Sequence, residues 1–472
     1  MQWRTAVVKN KSIIFADMKI MYCIRGLHNS GGMERVLSVK ANLLASRGHE
    51  VSIVVLRLKG RKPFFPIDPS VNIVDLSAPY LSLPGHPSSA TATSDSPRTT
   101  VSSTVGSAPG PATGSARTES SASPVSSTVG ITSTPASCSA RTQGIASVPA
   151  TGASERLKGS VRERLSRVVE MLNPDVCVSL CGPEVRILPA VACGRPCVAE
   201  YHFSHDKFYR KYGGIFLYPY AWLRTHMLER AVSEYDCMVT LTEHDLPIWK
   251  RHCRRVERIF NPVTTPPGQV SRLAEKRMIA VGRLEDQKNF KDLVSAWSIV
   301  AERCPDWRLE IFGEGKLEHA LRSQIARLGL TGSVILRGVV KDIASEYSNS
   351  SALLMTSLHE GFPLALVEAS SFGLPLISYD CPTGPSEIIV DAGDGGDAGN
   401  VPAATLDQVA GNTPNGYLVP VGDVRTLADR ICRIASDDSL RLRLGAASKA
   451  SSHRFTPETI ISAWEHLFSS LL

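Results

Sequence analysis

The chain has 472 residues, a net charge of +7, 43% hydrophobic and 21% charged residues. That balance is ordinary for a folded globular protein. No uninterrupted apolar run of about 18 residues occurs, so no membrane-spanning helix is expected. The mild basicity suits phosphate-bearing ligands, anionic lipid or nucleic acid without choosing among them, and no motif of a nucleic-acid binder appears. Eleven cysteines, an odd number without a C-x-x-C pair, argue against a disulfide framework or a cysteine zinc site.

In chain order, residues 1–17 form an extra basic N-terminal segment. It lacks the apolar centre and small-residue cleavage site of a secretory signal. The run from Met18 to Ile24 reads as a buried strand. A glycine-bearing loop and an amphipathic helical pattern from Met33 follow, stopping at Gly48, then a strand from Val51. This strand–loop–helix–strand unit opens a doubly wound sheet, and Val71–Leu76 supplies a third strand. Residues 84–153 are almost wholly Ser, Thr, Ala, Gly, Pro and Val. Within them SSTVG at 102–106 recurs at 126–130, and SART at 115–118 recurs at 139–142. A stretch with no apolar face cannot offset its chain entropy, so a duplicated disordered insert is expected.

Order resumes with a basic amphipathic helix from Val161. Strands follow at Asp175–Leu180, Pro196–Ser204 and Cys237–Thr242, with helical patterns at 215–233 and 244–254. Asn261-Pro262 marks a turn and a domain boundary. The second half alternates more cleanly, with strands from Arg277, Arg308, Val334, Ala352, Leu374 and Gly416 separated by helical patterns. The expectation is two Rossmann-like α/β domains facing a cleft. The first spans 18–262, carrying the 84–153 insert. The second spans 263–453, carrying a Gly/Ala/Asp-rich insert at 391–414. A C-terminal helix in 454–472 is expected to pack back toward the first domain. Ligands belong at the C-terminal strand ends of such sheets.

Three segments there carry chemistry. Gly282–Asn289 holds Arg283 and Lys288 in the loop after a strand. Phe312–Gly315 places Gly313 and Gly315 in the next strand-to-helix turn. Glu360–Glu368 sets two carboxylates about a helix that starts at Gly361, Phe362, Pro363 and Leu364. A helix start offers unpaired N–H groups to an anion. Two cations converging on it neutralise a diphosphate, and glycines admit close backbone approach to a flat base. Together these segments describe a nucleotide diphosphate pocket. His202 stands at the polar end of a first-domain strand, with His205 as a competitor.

The motifs GRLEDQKN (282–289), FGEG (312–315), EGFPLALVEASSFGLPLI (360–377), NGYLVPVGD (415–423) and SGGMERV (30–36) resemble those of the retaining glycosyltransferases of family four, which have the GT-B fold. DCPTGPSEII (380–389) is similar to bacterial members acting in capsule, O-antigen and glycan assembly. The resemblance implies that Arg283 and Lys288 bind the donor diphosphate, Glu368 holds the ribose, and Glu360 contacts the donor sugar. It also implies that the backbone at 362–364 holds sugar or phosphate, and that Gly313–Glu314, Arg337, Val339 and Val340 flank the base. Gly31 and Gly32 would close over the phosphates, and His202 would lie near the transferred sugar.

The implied donor is a nucleotide sugar, UDP-linked by resemblance, with a hexose or N-acetylhexosamine to transfer. The implied acceptor is a glycan or a polyprenyl-diphosphate-linked oligosaccharide. No cofactor or metal is expected: no Asp-x-Asp pair occurs, and cations with a helix end would replace the ion. Aromatics mixed with Lys and Arg at 207–230 suit an anionic membrane surface, giving a cytoplasmic protein peripheral on the inner leaflet. A GT-B sugar-nucleotide epimerase and an inactive nucleotide-sugar-binding module remain as alternatives.

Overall fold

The computed structural model describes residues 17–78, 80–81, 155–156, 159–212, 216–265, 268–393 and 413–472. The 84–153 insert, residues 1–16 and most of the 391–414 insert lie outside the described residues, and with them the expectation of disorder.

Two parallel sheets organise the chain. The first contains β1 (Lys19–Ile24), β2 (Glu50–Val55), β3 (Asn72–Asp75), β6 (Val176–Ser179), β7 (Cys197–Glu200), β8 (Cys237–Thr240) and β9 (Val256–Arg258), in the order β3-β2-β1-β6-β7-β8-β9. Between β3 and β6, β4 (Tyr80–Leu81) pairs antiparallel with β5 (Glu155–Arg156). The second sheet contains β10 (Arg277–Val281), β11 (Arg308–Phe312), β12 (Val334–Gly338), β13 (Ala352–Met355), β14 (Leu376–Tyr379) and β15 (Gly416–Val419), in the order β12-β11-β10-β13-β14-β15. Both orders run 3-2-1-4-5-6 and onward, so each sheet has one topological switch point. These lie between β1 and β6, and between β10 and β13.

The strands are continuous apolar runs because parallel sheets are covered on both faces. β6, β7, β8, β13 and β14 are buried at every position. Helix limits follow local chemistry. Ser160 and Glu163 form a reciprocal capping box ahead of Val161–Leu172, and left-handed Asn173 ends that helix. Asp423 accepts from the Thr426 N–H to start Val424–Ser436.

The C-terminal helix Pro457–Ser469 lies on the first domain. Ile460, Ile461, Trp464, Leu467 and Phe468 join the core built around β1 and β2. Arg47 and His49 both reach Glu465, at 2.5 and 3.1 Å.

Departures from the sequence pattern include three that bear on packing. The helix expected over 244–254 is confined to Leu246–Trp249. Beyond it the chain makes three-residue turns, Arg251 N–H to Ile248 and His252 N–H to Trp249. β9 was not foreseen, since only Val256 of its three residues is buried. Helix Asp438–Ser451 was also missed. Its packing face includes Gly445, Ala447 and Ser448, and Gly445 is required because a Cβ there would stand 2.6 Å from the Gly373 carbonyl oxygen. Among the described residues no helix is long and apolar enough to cross a membrane.

Candidate active site

The second sheet's switch point brings two loops together. The loop after β10 carries Arg283 and Lys288, and the loop after β13 carries Glu360 and Gly361. Hydrogen bonds stitch them. Gln287 donates to the His359 carbonyl at 2.8 Å, Leu358 N–H donates to the Gln287 carbonyl at 2.8 Å, and the Thr356 hydroxyl reaches the Lys288 and Asn289 carbonyls at 3.1 Å. Lys288 ends a 3₁₀ turn, and left-handed Asn289 (φ 48°) then begins helix Phe290–Arg303. This scaffold sets Lys288 Nζ 2.5 Å from Glu360 Oε1, with 18% and 9% of the side chains exposed. Arg283 stands further out, 68% exposed, touching Glu285 at 3.2 Å. The pair therefore couples a cation and an acid at a crevice rim, beside a second cation free to swing toward an anion.

The helix that follows is Leu364–Ser371, and Pro363 caps it rather than sitting inside its first turn. Phe362 turns inward and stacks on Phe260 at 5.3 Å, with Phe455 at 5.8 Å. Only its backbone is left to face a ligand.

The first domain meets this helix start closely. A Cβ on Gly361 would collide with the His202 carbonyl oxygen and stand 3.0 Å from Phe203 Cα. A Cβ on Gly32 would stand 3.2 Å from Leu364 Cδ1. His202 and Gly32, from the ends of β7 and of the β1 loop, thus lie directly against Glu360–Leu364 where the two domains meet. Gly31 is the N-cap of helix Gly32–Ser46, and its carbonyl accepts the Arg35 N–H at 3.1 Å.

Behind His202 lies a charge cluster that the sequence did not disclose. Lys40 Nζ is 2.6 Å from both oxygens of Glu200, and both side chains are 1% exposed. The Lys40 ammonium also sits 3.9 Å from the Trp464 ring centroid, a cation–π contact strengthened by burial. His202 Nε2 approaches Glu200 Oε1 to 3.1 Å, near enough for attraction but misaligned for a hydrogen bond. Burial alone would raise the Glu200 carboxyl. The Lys40 and His202 charges outweigh it and hold the group down at about 2.

The remaining expected residues are placed as follows. Glu368 is buried and already engaged. Thr264 donates to it at 2.7 Å, Tyr347 at 3.1 Å, and Arg35 of the first domain pairs with it at 2.9 Å. Arg35 gave no local signal because its partner lies across the domain boundary, and Thr264 gave none because its partner lies 104 residues on. Gly313 (φ +137°) and Gly315 are glycine because the Gly282–Leu284 backbone presses on them. A Cβ on Gly313 would strike the Gly282 carbonyl, and one on Gly315 would lie 2.5 Å from that of Leu284. They hold the Arg283 loop against β11, a role distinct from admitting a base. Arg337 makes a bidentate pair with buried Glu310 at 2.9 and 2.7 Å. Val339 is exposed and Val340 half-buried against the second domain's core. A cavity of about 830 Å³ runs along the interdomain linker between Arg35, Thr265, Arg272, Lys341, Asp342 and Ser345. It touches the Glu368 pair through Arg35 and does not include Arg283, Lys288, Glu360 or His202.

Residues 266–451 match the profile of the group 1 glycosyl transferases. That match lies within the second domain. An uncharacterized glycosyltransferase of Haemophilus influenzae is 23% identical over 450 residues, 95% of this chain and 99% of that protein. The amylovoran biosynthesis glycosyltransferase AmsD of Erwinia amylovora is 30% identical over 195 residues, 41% of this chain; the match spans about half (48%) of that relative's length. In three dimensions the chain is similar to HepE of Anabaena, solved in complex with UDP. The TM-score is 0.59 at 15% identity, over 96% of this chain and 100% of that one. The chain therefore has the two-domain GT-B architecture.

Proposed function

We propose that the protein is a retaining hexosyltransferase of the family-four type, moving a hexose or N-acetylhexosamine from a UDP-sugar to a glycan or lipid-linked oligosaccharide during surface polysaccharide synthesis. The observation that carries this reading is the close approach of Gly361 to the His202 backbone, which supports a site shared by the Lys288–Glu360 pair and the first domain. The amylovoran role of the Erwinia relative and the UDP held by the Anabaena structure support the pathway class and the base.

In this mechanism Lys288 leaves its carboxylate partner for the donor diphosphate, joined by Arg283 and the N–H groups at 362–364. Glu360 then faces the sugar. The acceptor hydroxyl oxygen bonds to the anomeric carbon on the face from which the nucleotide departs. The carbon–oxygen bond to the β-phosphate breaks, and that phosphate takes the hydroxyl proton. Charge growing on the departing phosphate is met by fixed cations, so the transfer proceeds without a metal ion. Glu368 receives the ribose hydroxyls in competition with Arg35.

The acceptor enters from the first domain. Phe216, Leu217, Tyr218, Tyr220, Trp222 and Leu223 are exposed at the start of helix Tyr218–Val232, beside the cations of helix Lys207–Lys211. This surface suits peripheral contact with the anionic inner leaflet and a polyprenyl-diphosphate acceptor. Flotation with anionic liposomes checks it, and absence of salt-sensitive binding removes the membrane contact.

The activity is tested by proton NMR of the protein with UDP-galactose, UDP-N-acetylgalactosamine, UDP-glucose or GDP-mannose, with and without a lipid-linked acceptor. An α-donor should give an α-linked product and free UDP. A β-linked product, or an epimerised sugar nucleotide formed without acceptor, would contradict the proposal.

A further inference from the structure

Three residues after His202 a second cluster forms, made of groups unused by the transfer reaction. Glu229 lies on helix Tyr218–Val232, His205 in the loop after β7, and His252 in the turn after helix Leu246–Trp249. His205 Nε2 stands 2.9 Å and His252 Nε2 3.4 Å from the same oxygen, Glu229 Oε1. All three ligand atoms lie within 4.8 Å of one another.

We propose that His205, Glu229 and His252 bind one divalent ion of the zinc class, which ties the His202 loop to the two neighbouring segments. Tetrahedral zinc held at about 2.0–2.2 Å by imidazole nitrogen and carboxylate oxygen separates its ligand atoms by about 3.4 Å. The two imidazole–carboxylate separations, 2.9 and 3.4 Å, lie somewhat under and at that value. Two imidazoles and one carboxylate form a borderline-soft donor set that favours zinc over calcium or magnesium.

The rings are held for this purpose. The two imidazoles stack at 14° with centroids 6.3 Å apart, and both rest edge-on against the buried Trp249 indole. His226 approaches the other carboxylate oxygen of Glu229 at 3.6 Å, a contact that orients the ligand from outside the coordination shell. The three ligand side chains are half-buried, 15–31% exposed, which leaves a fourth position for water. Because the ligands come from three separate segments, the ion would act as a cross-link, outside the chemistry at Lys288 and Glu360.

The test uses the full chain stripped of metal with a chelator and then titrated with cobalt(II) and with zinc. One cobalt per chain should give the intense visible bands of a four-coordinate ion. Zinc should displace it and raise the melting temperature by a few degrees. His252→Ala, at the most exposed of the three ligands, should keep the fold and lose both signals, and Glu229→Gln should weaken binding at least tenfold. The proposal is overturned if the metal-free chain gives neither band nor melting shift. It is equally overturned if both persist in His252→Ala and Glu229→Gln, or if a thiolate charge-transfer band assigns the ion to cysteines.

Discussion

The two walls of the crevice carry charge in opposite ways. On the C-terminal wall Lys288 and Glu360 meet at the rim, 18% and 9% exposed, with Arg283 extended into solvent beside them. On the N-terminal wall Lys40 and Glu200 are sealed at 1% exposure beneath Trp464, and His202 packs beside them, itself buried. Rim charges can exchange one partner for another at little cost. Sealed charges cannot, because an unpaired charge in the interior carries its full desolvation penalty. One wall can therefore release a cation to a new partner, and the other keeps its charges in place.

The sharpest test of this contrast removes half of each pair. Glu200→Gln leaves Lys40 buried without its counter-charge and should cost about 3–5 kcal/mol, measured by chemical denaturation. Lys288→Ala should cost about 1 kcal/mol or less in the same assay. Equal losses would erase the distinction. The pH profile follows from the sign of the shift. Glu200 is depressed from its ordinary 4.5 to about 2 in the folded state, so its contribution is complete above 4.5 and is lost progressively as pH falls from there through about 2. Glu200→Gln should therefore flatten the acid limb of the stability curve.

Next in size is Gly361→Ala. The added methyl would push the helix start away from the His202 carbonyl, and turnover should fall about 100-fold through lost alignment. The stability loss should stay within the range of about 1–3 kcal/mol usual for overpacking. Smaller still, His202→Asn should lower turnover by about 10- to 100-fold while UDP-sugar affinity, followed by calorimetry, stays within twofold. A matching loss of affinity would place His202 on the diphosphate and not beside the sugar.

The contrast also explains what could be seen in the sequence. Lys288 and Glu360 were legible because each sits in a loop directly after an apolar strand run, and parallel topology brings both loops to one switch point. Lys40 was invisible. It lies within the amphipathic helix Gly32–Ser46 and has no local sign of burial. It becomes buried only because Trp464, more than 400 residues later, closes over it. Arg35 and Thr264 escaped notice for the same reason, since their common partner Glu368 is distant in sequence and, for Arg35, belongs to the other domain. The strands stood out wherever both faces are covered, and β9 did not because just one of its residues is buried. Helix Asp438–Ser451 was obscured by a packing face rich in small residues, which carries little hydrophobic periodicity.

The central claim is that the crevice between His202 and the Lys288–Glu360 pair receives a nucleotide diphosphate. Calorimetric titration of UDP into the intact protein and into Lys288→Ala tests it most directly. Loss of one charge-assisted contact should weaken binding by about 10- to 100-fold, corresponding to about 1.5–3 kcal/mol. An unchanged dissociation constant in a correctly folded Lys288→Ala protein would contradict it.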